Sequence, residues 1–236
     1  MDYSNVIESF DRWQEYISNL RINFLQDKRE AEKRVQSVRY GRGGECIHRG
    51  FYCPSIVEDI VVGNCNRGKI LQRSPRRKPD YTYGFDSDGK LILVRSESEN
   101  AWEFISYEKD REIGIGVTYL PKYNIEGVSS VTECRRKGNQ LLSYVYCQCL
   151  CSTNIISCLV EETYQYRRDE LQVDRVRLWD RKNERIQHNR YVFSVKDGFL
   201  DDYTAVELDE NGAVKWQEYH LGRIYKTYIQ REYPNA

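Results

Sequence analysis

From Asp80 onward the chain alternates short apolar-polar stretches with turn signals, and this rhythm limits the fold more than any other feature. Tyr81, Tyr83 and Phe85 alternate with Thr82 and Gly84, Asp86-Ser87-Asp88-Gly89 supplies a turn, and Leu91 to Val94 resume the alternation. Alternation of period two on either side of a glycine-containing turn is the pattern of a β-hairpin. It returns where Tyr203 to Leu208 lead through Asp209-Glu210-Asn211-Gly212 into Ala213 to Tyr219. Between these lie weaker turn signals at Glu108-Lys109-Asp110, Arg136-Lys137-Gly138-Asn139, Arg167-Arg168-Asp169, Arg181-Lys182-Asn183 and Lys196-Asp197-Gly198. Seven turns predict a mainly β (α+β) protein, with an antiparallel meander of about eight or more strands over residues 80–236.

The head, residues 1–79, has a different texture. Val6, Phe10, Trp13, Ile17, Leu20 and Phe24 recur three and four residues apart, the spacing of one apolar helical face. Asn5 can cap this helix, with Glu8 three residues on, and opposite charges at helical neighbours carry it through Arg34. From Tyr40 to Gly68 six glycines and Pro54 interrupt any period, leaving Ser55 to Val62 as one short regular element. Gln72 to Pro79, with two prolines and four basic residues, reads as an extended surface linker into the hairpin body. Head and body together are expected to form one compact unit.

Lysine plus arginine equals aspartate plus glutamate at 36 each, which removes any overall electrostatic reason to bind DNA or an anionic membrane. Met1 to Asn5 lack the basic start of an export signal, and no apolar run reaches the roughly 18 residues of a spanning helix. A cytoplasmic location with free thiols is therefore expected for the eight cysteines. Nineteen tyrosines against seven phenylalanines point to flat side chains packing across strands while their hydroxyls stay hydrated.

Several constellations invite a chemical reading. Cys46, His48, Cys53 and Cys65 could enclose zinc, but the gaps lack the close knuckle of structural zinc sites, so no metal is expected. Cys147, Cys149 and Cys151 on one strand stand about 7 Å apart, too far for one ion, and read with Cys134 and Cys158 as core thiols. The aspartates of the two Asp-Gly turns lack the full donor series of a calcium loop. His48, His188 and His220 fall in no recognisable catalytic motif, and no phosphate loop or nucleophile elbow is present. The expectation is a protein without catalysis or cofactor, the alternatives being a hydrolase with unrecognised carboxylates or a nucleic-acid-binding module using Arg76, Arg77 and Lys78.

Tyr81-Thr82-Tyr83-Gly84-Phe85-Asp86-Ser87-Asp88-Gly89-Lys90-Leu91 resembles the tyrosine-aspartate repeats of the rearrangement-hotspot (Rhs) family, and Leu208 to Val214 is a looser second match. The chain is too short for the hollow shell that long Rhs proteins build. It is similar in style to short cytosolic immunity proteins that neutralise polymorphic toxins of competing bacteria. The resemblance implies a bacterial protein that occludes or distorts a toxin's active site. Tyrosine supplies contact area at little entropic cost, so the partner-binding surface is expected at Asp201, Asp202, Tyr203, Tyr81 and Tyr83. Acidic pairs such as Asp201-Asp202 and Glu161-Glu162 would steer a basic nuclease.

Overall fold

A computed structural model of the chain describes residues 3–45, 47–63, 66–123, 125–183 and 185–219. Two α-helices come first, α1 (Ser4–Asn19) and α2 (Phe24–Arg34), followed by β1 (Ser37–Arg42) and β2 (Lys69–Leu71). The body continues as β3 (Tyr81–Phe85), β4 (Leu91–Ser96), β5 (Ala101–Tyr107), β6 (Arg111–Leu120), β7 (Ile125–Lys137) and β8 (Gln140–Leu150). It ends with β9 (Ile155–Tyr166), β10 (Glu170–Asp180), β11 (Arg185–Lys196), β12 (Phe199–Leu208) and β13 (Val214–Tyr219). All of these strands form one sheet in the order β13-β12-β11-β10-β9-β8-β7-β6-β5-β4-β3-β1-β2. From β3 to β13 each strand pairs antiparallel with the next, the expected meander.

Each of the seven sequence-read turns joins two neighbouring strands. In the turns after β3 and β12, Asp86 Oδ1 accepts from the Asp88 and Lys90 amides, and Asp209 Oδ1 from those of Asn211 and Ala213. These aspartates build turns, which explains their recurrence. Three further connections, at residues 97–100, 121–124 and 151–154, carry weaker local signals. Asn100 and Asn154 adopt the left-handed conformation in two of them.

The N-terminal helix departs from expectation in two ways. Tyr3, not Asn5, is the residue before the first turn, and Asn5 lies inside α1. The helix also stops at Asn19, and Asn23 caps a separate α2 by accepting from the Gln26 amide. The physical reason is that the apolar face serves two places. Val6, Phe10, Trp13 and Ile17 bury against Val131, Cys147, Leu159 and Leu178, whereas Phe24 stacks on Tyr119 at 4.4 Å and meets Trp102 edge-on. Each such buried side chain contributes roughly 1.5–3 kcal/mol, so one straight helix would forfeit one anchor or the other.

Both helices cover one face of the sheet. The opposite face is crossed by the glycine-rich segment of residues 43–63, which contains a 3-10 turn (Gly50–Tyr52) and a π-helical turn (Glu58–Val62). Ile56, Val57 and Ile60 from this segment close a core with Cys134, Tyr144, Tyr164, Leu171, Val173 and Phe193. Strand β1, on its N-terminal side, inserts beside β3 and so ties the head into the same sheet. No helix among the described residues is long and apolar enough to cross a membrane.

Candidate functional site

The crossing segment is apolar at only a few positions, and polar groups hold the rest of it. Tyr81 donates its hydroxyl to the carbonyls of Gly44 (3.2 Å) and Ile47 (3.3 Å). The Tyr83 hydroxyl donates to the Arg49 carbonyl (3.0 Å) and accepts from the Phe51 amide (3.2 Å), and Tyr164 accepts from Ile56 (3.3 Å). Tyr81, Tyr83, Tyr144 and Tyr164 are all buried. Their hydroxyls therefore meet loop backbone or side chains rather than water, so for these four the reading of half-wet tyrosines is corrected. Burial pushes the Tyr81 and Tyr83 hydroxyls far above the usual phenol range.

Two buried ion clusters fasten the segment further. Arg49 reaches Glu103 through Nε (2.8 Å) and Nη2 (2.7 Å), and its Nη1 bonds Glu112. Thr132 Oγ1 adds a bond to Glu103 Oε1 at 2.7 Å. Burial alone would raise Glu103, but the Arg49 guanidinium and the His48 ring hold it well below the usual carboxylate range. Gly114 makes the fork possible, because a Cβ there would stand 2.0 Å from Glu103 Oε1 and 2.5 Å from Arg49 Nη2. The second cluster centres on Glu162, which accepts from Ser55 Oγ, Tyr164 and Arg175 Nη1 (2.8 Å), while Arg175 Nη2 bonds Glu58 at 2.8 Å. Here burial dominates, and Glu162 lies above its ordinary value despite Arg175.

Between segment and sheet remains a cavity of about 520 Å³. Its floor is made of short side chains on adjacent strands, Ser96, Ala101, Gly116, Thr118 and Ser130, which leave the space the segment does not fill. His48 projects toward it between Glu103 Oε2 (3.1 Å from Nε2) and the Tyr144 hydroxyl (3.3 Å from Nδ1), with the Tyr146 ring 4.9 Å from its own. Glu103 can only accept, so in the neutral ring the proton belongs on Nε2 and Nδ1 accepts from Tyr144. No family model, no curated protein and no solved structure matches this chain. Its function must be read from this geometry.

The residues proposed from sequence scatter around the sheet. Tyr81 and Tyr83 are buried under the segment and present no ring to a partner. Tyr203 packs on Tyr191 and Phe193, and Asp201 and Asp202 stand half-exposed beside it on β12, away from the cavity. Glu161 and Glu162 point to opposite faces, Glu162 buried and Glu161 half-buried with its carboxylate accepting from Ser9, so they do not act as one exposed acidic pair. Arg76 and Arg77 are exposed around an open recess with Arg42 and Arg73, whereas Lys78 pairs with Glu97 at 2.6 Å. Of the zinc candidates, His48 is committed to Glu103 and Tyr144, Cys53 is buried and bonds the Ser55 carbonyl, and Cys46 and Cys65 lie outside the described residues. Among the described residues no cluster of three or more metal-ligating side chains occurs. Sequence reading missed Arg49, Glu103 and Arg175, and gave Glu162 a steering role in place of its buried one. The available signal was Gly114-x-Gly116 inside an otherwise apolar strand, which marks close approach by another group.

Proposed function

We propose that this chain is a non-catalytic protein-binding protein that engages its partner at the cavity and the strand ends around it. The observation that carries this reading is the saturation of the site's acid-base groups. Glu103 accepts four hydrogen bonds, and both nitrogens of His48 are engaged within the chain. A general base needs a lone pair free to face substrate. Here the titratable groups instead hold a loop in place, leaving a recess within the roughly 300–1,000 Å³ of ordinary ligand pockets and so large enough to admit a side chain.

The likeness of Tyr81 to Leu91 to Rhs repeats extends this proposal to an immunity protein that neutralises a bacterial toxin in the cytoplasm by occlusion. Growth rescue tests it, by expressing the toxin domain of the adjacent gene with and without this chain and then purifying the pair. Protection together with a stable complex is the expected result. Protection without a complex, or loss of protection in His48→Asn with complex formation intact, would point to chemistry instead and overturn the binding reading.

A further inference from the structure

The cavity has a charge of its own although the chain as a whole has none. Arg49 is held by two carboxylates, Glu103 and Glu112, and Arg175 by two more, Glu58 and Glu162. Each cluster thus sets two carboxylates against one guanidinium, and burial raises Glu162 above its ordinary value, which lessens the excess in its own cluster. On the rim, Glu45 and Glu99 are exposed and have no cationic partner among the described residues. Against them stands Arg177, which bonds Cys158 Sγ and lies over Trp179, with no carboxylate partner among the described residues. Carboxylates in a recess with low-dielectric walls focus a negative potential into it.

A second observation points to an occupant. Ser130 is 8% exposed, and its hydroxyl, which stands directly over Gly116 on the cavity floor, makes no hydrogen bond within the described residues. Tyr146, on the neighbouring strand, also turns a hydroxyl without a hydrogen bond among those residues toward the same space. Neither oxygen is sealed off from the recess, so each can accept from a donor that enters it.

We infer that the cavity receives an arginine or lysine side chain presented by a loop of the protein partner. This inference rests on the protein-binding reading and assigns its contact. The cationic head lies between the rim glutamates and donates to the Ser130 and Tyr146 hydroxyls, while Glu103 remains locked to Arg49 beneath. An acidic side chain would face the carboxylate excess and meet Arg177 at one end only.

The test uses the intact chain and N-acetyl-arginine amide as probe, with N-acetyl-aspartate amide for comparison, followed by amide NMR. Saturable shifts at Thr118, Ser130 and Gln148 with the arginine probe alone are expected. The double variant Glu45→Gln, Glu99→Gln removes only exposed charges, so it keeps the fold. It should weaken the probe about two- to thirtyfold, the effect of two solvent-exposed ion pairs. Ser130→Ala should weaken it about two- to tenfold, the effect of one hydrogen bond. Equal binding by the variants, preference for the aspartate probe, or no saturable shift overturns the inference. If the probe fails while the toxin complex still forms, protein binding stands and this contact is wrong. If the probe binds but no complex forms, the contact stands and the proposed function is wrong.

Discussion

Arg49→Met removes the cation that two buried carboxylates share, and its effect can be worked from the structure. The Arg49 side chain is 3% exposed, and the variant leaves Glu103 and Glu112 facing one another with no guanidinium between them. Breaking a buried pair from one side costs about 3–5 kcal/mol, a large part of the roughly 5–15 kcal/mol that stabilises an ordinary domain. For a chain of this length that lowers Tm by about 6–20 °C. The acid side supplies a control. In the native protein Glu103 lies below its ordinary value, so its contribution is present above the usual carboxylate range and is lost as pH falls through that range and below. In the variant, burial without Arg49 raises the same group, so protonation relieves it. The gap in Tm between native and variant should therefore be widest near neutral pH and narrow toward pH 4, as followed by circular dichroism. Replacing all three residues with apolar ones of similar volume should recover most of the loss. A loss below about 1 kcal/mol, or a gap that stays constant on acidification, would refute the view that this cluster clamps the segment.

Other consequences are equally direct. Tyr83→Phe strips a buried hydroxyl that satisfies both the Arg49 carbonyl and the Phe51 amide, and should cost about 1–3 kcal/mol in denaturant unfolding, whereas an exposed tyrosine such as Tyr123 should cost little. Gly114→Ala drives a methyl into the Arg49–Glu103 fork and should cost at least about 1–3 kcal/mol, with hydrogen exchange of residues 47–51 rising with it. Burial pushes Cys134 and Cys149 up to about 12 and holds Cys147 well above the usual thiol range, so at pH 8 iodoacetamide followed by peptide mass mapping should find the half-exposed Cys151 labelled first of these four, and the others only in denaturant. His188 is wholly buried with neither ring nitrogen hydrogen-bonded among the described residues, Asp174 standing 3.6 Å away, so His188→Leu should raise Tm, and a fall would show that the Asp174 attraction matters more.

The hairpin body was legible because its signals are local. A strand of period two and an Asp-x-x-Gly turn declare themselves within a dozen residues, and all seven turns joined strands. Strands β1 and β2 were not legible, since both are short, glycine-flanked and paired with partners remote in the chain. The break between α1 and α2 was half-visible in Asn23 and Gln26, but the continuous apolar stripe through Phe24 masked it. His48, Tyr81, Tyr83 and Glu162 were singled out, but in other roles, and the clusters they join could not be assembled from sequence. Arg49 and Glu103 are 54 residues apart and Ser55 and Glu162 are 107 apart, so only strand register across the sheet brings them together. Tyrosine rings pack across strands where Tyr203 meets Phe193 and along a strand where Tyr81 meets Tyr83, yet composition cannot say whether a hydroxyl ends in water or on a loop carbonyl.

That last distinction explains the chemistry of the whole sheet face. A broad antiparallel sheet whose two faces both carry apolar strands needs cover on each, and the helices supply it on one side only. On the other, the cover is a glycine-interrupted segment with few apolar side chains, too poor in hydrophobic area to stay down by burial alone. Hydroxyl, guanidinium and carboxylate groups therefore do the fastening, each aimed at a backbone or side-chain partner in residues 44–58. Where these fasteners stop, at the strip of Ser96, Ala101, Gly116, Thr118 and Ser130, the sheet carries side chains too short to meet the segment, and the recess opens. The cavity is thus a consequence of how the loop is held. A substitution that frees the loop should abolish binding in the recess even when no rim residue is touched.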